Sequence, residues 1–82
     1  MIGTVTGFVA EAVFASTLQP SQVVTTAEAW AAIAAAITLH GAQGCVEILA
    51  REYGERPETA VVRMRFARSL ADRLSPAPAL AA

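Results

Sequence analysis

The sequence of 82 residues has few metal-binding or redox-active side chains: one cysteine, one histidine and two methionines. A single cysteine, Cys45, excludes a framework of disulfide bonds within the chain, and we expect a buried or idle thiol. Cys45 and His40 are also too few to bind zinc, which needs three or four ligands, so we expect no metal. Only 16% of the residues are charged and 55% are hydrophobic, which excludes a disordered chain.

Long apolar runs, targeting signals and catalytic groups are missing as well. The longest strongly apolar run spans eleven residues, 29–39, whereas a membrane span needs about 20. A secretory signal requires a basic residue before its apolar stretch, and the N-terminal apolar stretch of this sequence has none. We therefore expect a cytoplasmic protein with no membrane partner, and the absence of lysine together with 19 alanines suits a GC-rich bacterial genome. No paired carboxylates, no nucleophile with its base and no phosphate loop are present, so we expect no enzyme and no cofactor.

Capping signals and apolar spacing predict three helices. Thr25 and Glu28 have the spacing of a capping box, which starts a helix. Gly41 supplies its stop, and Trp30 is expected to anchor it in the core. Pro57 is typical of the first turn of a further helix. The helices are expected at residues 25–40, 45–54 and 57–74.

The N-terminal residues fit two conformations. Val5, Phe8 and Val9 begin a helical apolar period, but the same stretch is rich in Thr, Val and Phe, which favour a strand. The segment is therefore either a short helix or an extended arm. The predicted fold is an all-α, three-helix domain with a helix-turn-helix-like C-terminal half. Its parts are an N-terminal arm at residues 1–24, the three-helix domain at 25–75 and a disordered tail at 76–82.

The last predicted helix has two apolar rows, which indicates two packing partners. One row suits the core and consists of Ala60, Met64, Ala67, Ala71 and Leu74. A chain this short has difficulty burying so much apolar sequence by itself, so we expect a homodimer rather than a monomer. The contact with a second copy or with another protein is assigned to Phe8, Val62, Phe66 and Leu70.

Residues 47–68 have the small residues that a helix-turn-helix requires. Ala50 leaves room where the following helix crosses, and Gly54 permits a positive φ at a sharp turn four residues later. All six arginines lie between Arg51 and Arg73, and residues 63–73 hold four arginines and one aspartate, a local net charge of +3. We expect the turn at Gly54 to present this arginine-bearing helix outward.

At these residues the chain resembles the C-terminal DNA-binding region of bacterial extracytoplasmic-function sigma factors. The matching residues, in register over about 20 positions, are Leu49-Ala50, Gly54, Thr59-Ala60, Arg63-Met64 and Ala67-Arg68. The chain departs from the family at Glu55, where the family has a buried valine. The resemblance implies that the last helix enters the major groove of DNA. The residues that it assigns to DNA are Arg51, Arg56, Glu58, Val61, Arg63, Arg65 and Arg68.

Two functions follow from these patterns. In the first, the protein is a small DNA-binding or transcription-associated protein, in which arginine contacts guanine or phosphate and valine contacts a thymine methyl. One copy offers only three or four phosphate contacts, where strong binders make six to ten, so a dimer would bind better. In the alternative, the protein is a non-enzymatic, dimeric helical adaptor. Its N-terminal arm and the surface around Val61 and Val62 would then bind another protein.

Overall fold

The computed structural model describes residues 4–74, with side chains from residue 7 onward. Three helices form the fold, and the described residues contain no strand. Their bounds are Thr4–Ala15 for α1, Thr26–Glu55 for α2 and Pro57–Leu74 for α3. The all-α, three-helix prediction is confirmed. The predicted tail at residues 76–82 lies outside the described part of the chain.

Helix α1 covers most of the segment that the sequence left open between helix and extended arm. Its apolar residues follow the helical period, and Ala12, Val13 and Phe14 are almost fully buried. They pack against both α2 and α3, because α1 contacts each of the other two helices. The apolar residues of this segment between positions 9 and 18 therefore belong to the hydrophobic core.

Helix α2 begins at the predicted capping box. The Glu28 N–H donates to Thr25 Oγ1 at 3.0 Å, and the Thr25 N–H donates to Glu28 Oε1 at 2.8 Å. At Gly41 the helix is kinked, with φ 72° and ψ 166°. A side chain at such a φ is strained, so glycine separates α2 into two halves, residues 26–40 and 42–55. These halves correspond to the first two predicted helices.

The turn between α2 and α3 is not at Gly54, and that prediction is wrong. Among the described residues only Gly41 has a positive φ, and α2 continues helically through Gly54 to Glu55. The chain turns at Arg56 instead, with φ −140° and ψ 66°. Pro57 explains this position, because the residue before a proline is disfavoured in the helical region whereas proline itself suits a first helical turn.

The core lies where the three helices meet. Phe14 of α1 stacks on the ring of Tyr53 of α2, with centroids 6.2 Å apart. Helix α3 contributes mainly small residues, and Ala60, Ala67 and Ala71 are almost completely buried. Small side chains at this seam let α3 approach its neighbours closely. The core residues that surround this seam are Val9, Val13, Ala29, Ile33, Met64 and Leu70.

Trp30 is not the core anchor that the sequence predicted. Its side chain is 41% exposed, while Ala29 and Ile33 beside it on α2 are buried. Adjacent helical positions point about 100° apart, so burial of Ala29 turns Trp30 away from the core.

Candidate nucleic-acid interface

The outer side of α3 is the candidate interface, and we call it the α3 face. The inner side of the helix is fixed by the buried residues Ala60, Met64, Ala67 and Ala71. Their spacing of three to four residues leaves the opposite side without a packing partner in the fold. The exposed residues that form the α3 face are Glu58, Val61, Val62, Arg65, Arg68, Ser69, Asp72 and Arg73.

Several arginines assigned to DNA are free to bind a ligand. Arg51, Arg65 and Arg68 are exposed, and none has a hydrogen bond or ion pair within the part of the chain that the structure describes. Arg56 is exposed too, but its Nη1 donates to both carboxylate oxygens of Glu52, at 3.0 and 3.1 Å. This ion pair neutralises Arg56 in part, so its contribution to anion binding is smaller than that of the three free arginines.

Acidic residues reduce the charge of the α3 face. Arg65, Arg68 and Arg73 contribute three positive charges, and Glu58 and Asp72 remove two, which leaves +1. An interface with this balance attracts phosphate through individual arginines and not through a strong general field.

Arg63 has a different role from the phosphate contact that the resemblance implied. Its Nε donates to the Phe14 carbonyl oxygen at 2.8 Å, and its Nη2 donates to the Ser16 carbonyl oxygen at 2.7 Å. The guanidinium carbon also lies 5.7 Å from the centroid of the Phe14 ring. Burial lowers the pKa of Arg63, and the negative charge of Glu52 opposes that shift. Arg63 thus binds the C-terminal end of α1 and holds it on α3.

The four residues predicted to contact a partner do not share one exposed surface. Leu70 is only 2% exposed and belongs to the core, which corrects its assignment to a contact. Phe66 is half-buried and packs against the core. Val62 and Phe8 remain accessible, 55% and 37% exposed, but they lie on α3 and α1 respectively. Sequence spacing alone placed Leu70 in the wrong row, because the core takes in both rows at the C-terminal end of α3.

A cleft of about 530 Å³ opens between the three helices, and no sequence pattern indicated it. Its apolar walls come from Leu49 and Tyr53 of α2 and from Met64 of α3. Arg68, with Glu11 and Asp72, supplies its charged groups. Arg68 therefore belongs both to the edge of this cleft and to the α3 face. Residues from separate helices form the cleft, so no contiguous motif could have indicated it.

Cys45 is buried, as the sequence predicted. Its Sγ lies 3.9 Å from the Ala36 carbonyl oxygen, to which the thiol donates. Burial raises the pKa of the Cys45 thiol, and the negative charge of Glu11 adds to the rise. A thiol in this setting is protonated at neutral pH and is a poor nucleophile. No group of three potential metal ligands occurs among the described residues.

By length and composition alone, α2 is apolar enough to cross a membrane. Comparisons with protein-family models, with curated proteins and with solved structures found no match. The resemblance to sigma factors stays a prediction that depends on residues 49–68.

Proposed function

We propose that the protein is a small DNA-binding protein that contacts the duplex through the α3 face. The observation that supports this proposal is the exposure of Arg65 and Arg68 on α3 and of Arg51 on α2, none of them paired within the described residues. Free guanidinium groups on one helix suit phosphate and guanine, both of which accept two hydrogen bonds from arginine.

The shape of α3 is compatible with the major groove. The helix has 18 residues and is therefore about 27 Å long. Its inner side rests on α1 and α2, so the whole outer side can approach a ligand. The one-residue turn at Arg56 sets off the beginning of α3 from α2, and recognition helices contact bases mainly through their N-terminal residues.

Individual roles follow from position along α3. Val61 lies in the N-terminal half and suits a thymine methyl, while Arg65 follows one turn later and suits guanine or a phosphate. Arg68 and Arg51 suit phosphates on either side. Because the net charge of the face is only +1 and one copy offers only three or four phosphate contacts, we expect one copy to bind weakly and with a moderate dependence on salt.

The test is fluorescence anisotropy with a labelled mixed-sequence duplex, at about 50 and 200 mM salt. Arg65→Ala should weaken binding about five- to tenfold and reduce the salt dependence by about one phosphate contact. Arg73→Ala is the comparison variant: Arg73 also belongs to the α3 face but lies two turns further from the N-terminal end that is expected to contact bases, so its loss should weaken binding less. Wild-type binding that does not change with salt, or equal losses for the two variants, would contradict the proposal.

A second candidate function is supported by Val61 and Val62, which are 43% and 55% exposed. Two adjacent exposed valines suit a protein partner at least as well as a DNA groove, because a protein surface can bury both. Under this alternative the protein is a non-enzymatic helical adaptor. The absence of any salt-dependent DNA binding by the folded wild-type protein would favour it over the first.

A further inference from the structure

The cleft between the three helices has room for a small molecule. Its volume of about 530 Å³ lies within the range of small-molecule sites, roughly 300–1,000 Å³. Each helix lines the cleft with residues four positions apart, which lie on the same side of that helix. These residues are Gly7 and Glu11 of α1, Leu49 and Tyr53 of α2, and Met64, Arg68 and Asp72 of α3.

The apolar walls of the cleft suit a ring-sized group. Met64 is buried in the core, and Leu49 and Tyr53 are partly buried and pack against it. The Tyr53 ring is also held by its stacking on Phe14. Because these walls are formed by the fold itself, a bound ring would cover apolar surface without a rearrangement of the helices.

The charged groups of the cleft have a net negative charge. Glu11 and Asp72 contribute two carboxylates and Arg68 contributes one guanidinium, which leaves −1. Glu11 is half-buried, whereas Arg68 and Asp72 are exposed. No ion pair or hydrogen bond joins the Glu11 carboxylate to Arg68 or to any other described residue. The most enclosed charge of the cleft is thus a carboxylate without a cationic partner.

We infer that the cleft binds a small amphipathic amine, with its ammonium group at Glu11 and its ring between the apolar walls. An ammonium group is a cation with several hydrogen-bond donors, so it matches a carboxylate that lacks a partner. An anionic ligand would meet two carboxylates, and the one cation, Arg68, is exposed and can turn to solvent. An uncharged ligand would cover Glu11 without giving its charge a partner, which is costly.

The inference goes beyond the proposed function and does not depend on it. Glu11 belongs to α1, so a Glu11 variant tests the cleft without removing a residue of the α3 face. Arg68 belongs to both surfaces, and the two ligands should respond to its loss in opposite directions. Arg68→Gln should weaken DNA binding but strengthen amine binding, because it removes a like charge from the cleft.

The probe for the experiment is 2-phenylethylamine, and the matched probe of opposite charge is 3-phenylpropionate. Carbon-13 labelling of the methionine methyl groups gives two NMR signals, and the signal of Met64 reports on the wall of the cleft. We expect the amine to shift this signal saturably, with a Kd of about 0.1–1 mM, as suits so small a ligand. The carboxylate probe should bind at least about tenfold more weakly.

Two variants test the roles of the lining residues. Glu11→Gln keeps the size of the side chain but removes its charge, and it should weaken amine binding about five- to tenfold. Glu47→Gln is the matched control, because Glu47 is exposed on α2 and does not line the cleft. Gly7→Leu should abolish binding by filling the cleft. Gly7 is helical, and a Cβ there would have open space around it, so the larger side chain fits without displacing the core.

Four results would overturn the inference. They are a Met64 signal without a saturable shift up to about 10 mM amine, equal affinities for the two probes, equal affinities of the Glu11 and Glu47 variants for the amine, and unchanged binding by Gly7→Leu. A loss of amine affinity in Arg68→Gln would do the same. Circular dichroism checks that each variant is folded, and if Gly7→Leu failed to fold, the comparison of Glu11→Gln with Glu47→Gln decides.

Discussion

Replacing Arg63 with methionine isolates the contact between α3 and the end of α1. The guanidinium donates to the Phe14 and Ser16 carbonyl oxygens, at 2.8 and 2.7 Å. Carbonyls at the C-terminal end of a helix lack partners within the helix and attract a positive charge. Methionine keeps much of the apolar stem of the side chain but removes both donors and the charge. The change therefore removes the contact with little loss of packing.

The expected loss of stability follows from these contacts. A hydrogen bond from a charged group contributes about 1.5–3 kcal/mol when it is buried, and Arg63 is only half-buried, so about 1 kcal/mol for each is appropriate. The position over the Phe14 ring adds about 0.5–1 kcal/mol. We expect Arg63→Met to lower the free energy of unfolding by about 2–3 kcal/mol. A domain of this size has about 4–12 kcal/mol in total, so the effect is large.

Urea unfolding, followed by circular dichroism at 222 nm, measures this loss. Arg65→Met is the matched control, because Arg65 is exposed and has no partner within the described residues, and it should change stability by less than about 0.5 kcal/mol. If Arg63→Met were no less stable than Arg65→Met, Arg63 would not hold α1 on α3. The DNA affinity of an Arg63 variant is interpretable only after this measurement, since unfolding also weakens binding.

Two further predictions concern backbone conformation and the buried thiol. Gly54→Ala should stabilise the protein by about 0.5–1 kcal/mol because Gly54 is helical with open space around it, whereas Gly41→Ala should destabilise it by about 1–2 kcal/mol because Gly41 has φ 72°. Thermal unfolding measures the stability of both variants. If Gly54→Ala were destabilising, the turn would lie at Gly54 and not at Arg56. Cys45 should react with a disulfide reagent about tenfold or more slowly in the native protein than in urea. Because its pKa is raised in the fold, stability should fall as the pH rises above the ordinary thiol pKa, and Cys45→Ala should remove that part of the fall.

Short sequence motifs correctly predicted the features of the fold that depend on neighbouring residues. The capping box of Thr25 and Glu28 forms as expected because both hydrogen bonds lie within four consecutive residues. Gly41 breaks the helix as expected, and glycine is the residue that adopts a positive φ there without strain. The start of α3 at Pro57 also followed from one residue type. For the capping box and for Pro57, the atoms that determine the outcome lie within a few residues of one another.

Features that depend on contacts between helices could not be predicted in the same way. The sequence favoured a turn at Gly54 because glycine permits it, but permission does not require a positive φ, and Pro57 places the break at Arg56. The role of Arg63 depends on carbonyl groups 47 and 49 residues earlier in the chain. No local sequence pattern indicates a contact between residues so far apart in the chain, so Arg63 was assigned to DNA together with the other arginines of α3.

The different roles of the arginines of α3 follow from the geometry of this one helix. Arg63 and Arg65 are two residues apart and therefore point about 200° apart around the helix axis. Arg63 lies beside the buried seam and donates to carbonyl groups at the end of α1 that have no donor within that helix. Arg65 lies at the middle of the α3 face. A count of positive charges along residues 63–73 treats these residues as equivalent, although one holds the fold together and the other is free to bind. The local charge of +3 thus overstates what α3 can offer to DNA, and Arg65 is the residue on which the DNA-binding proposal should be judged.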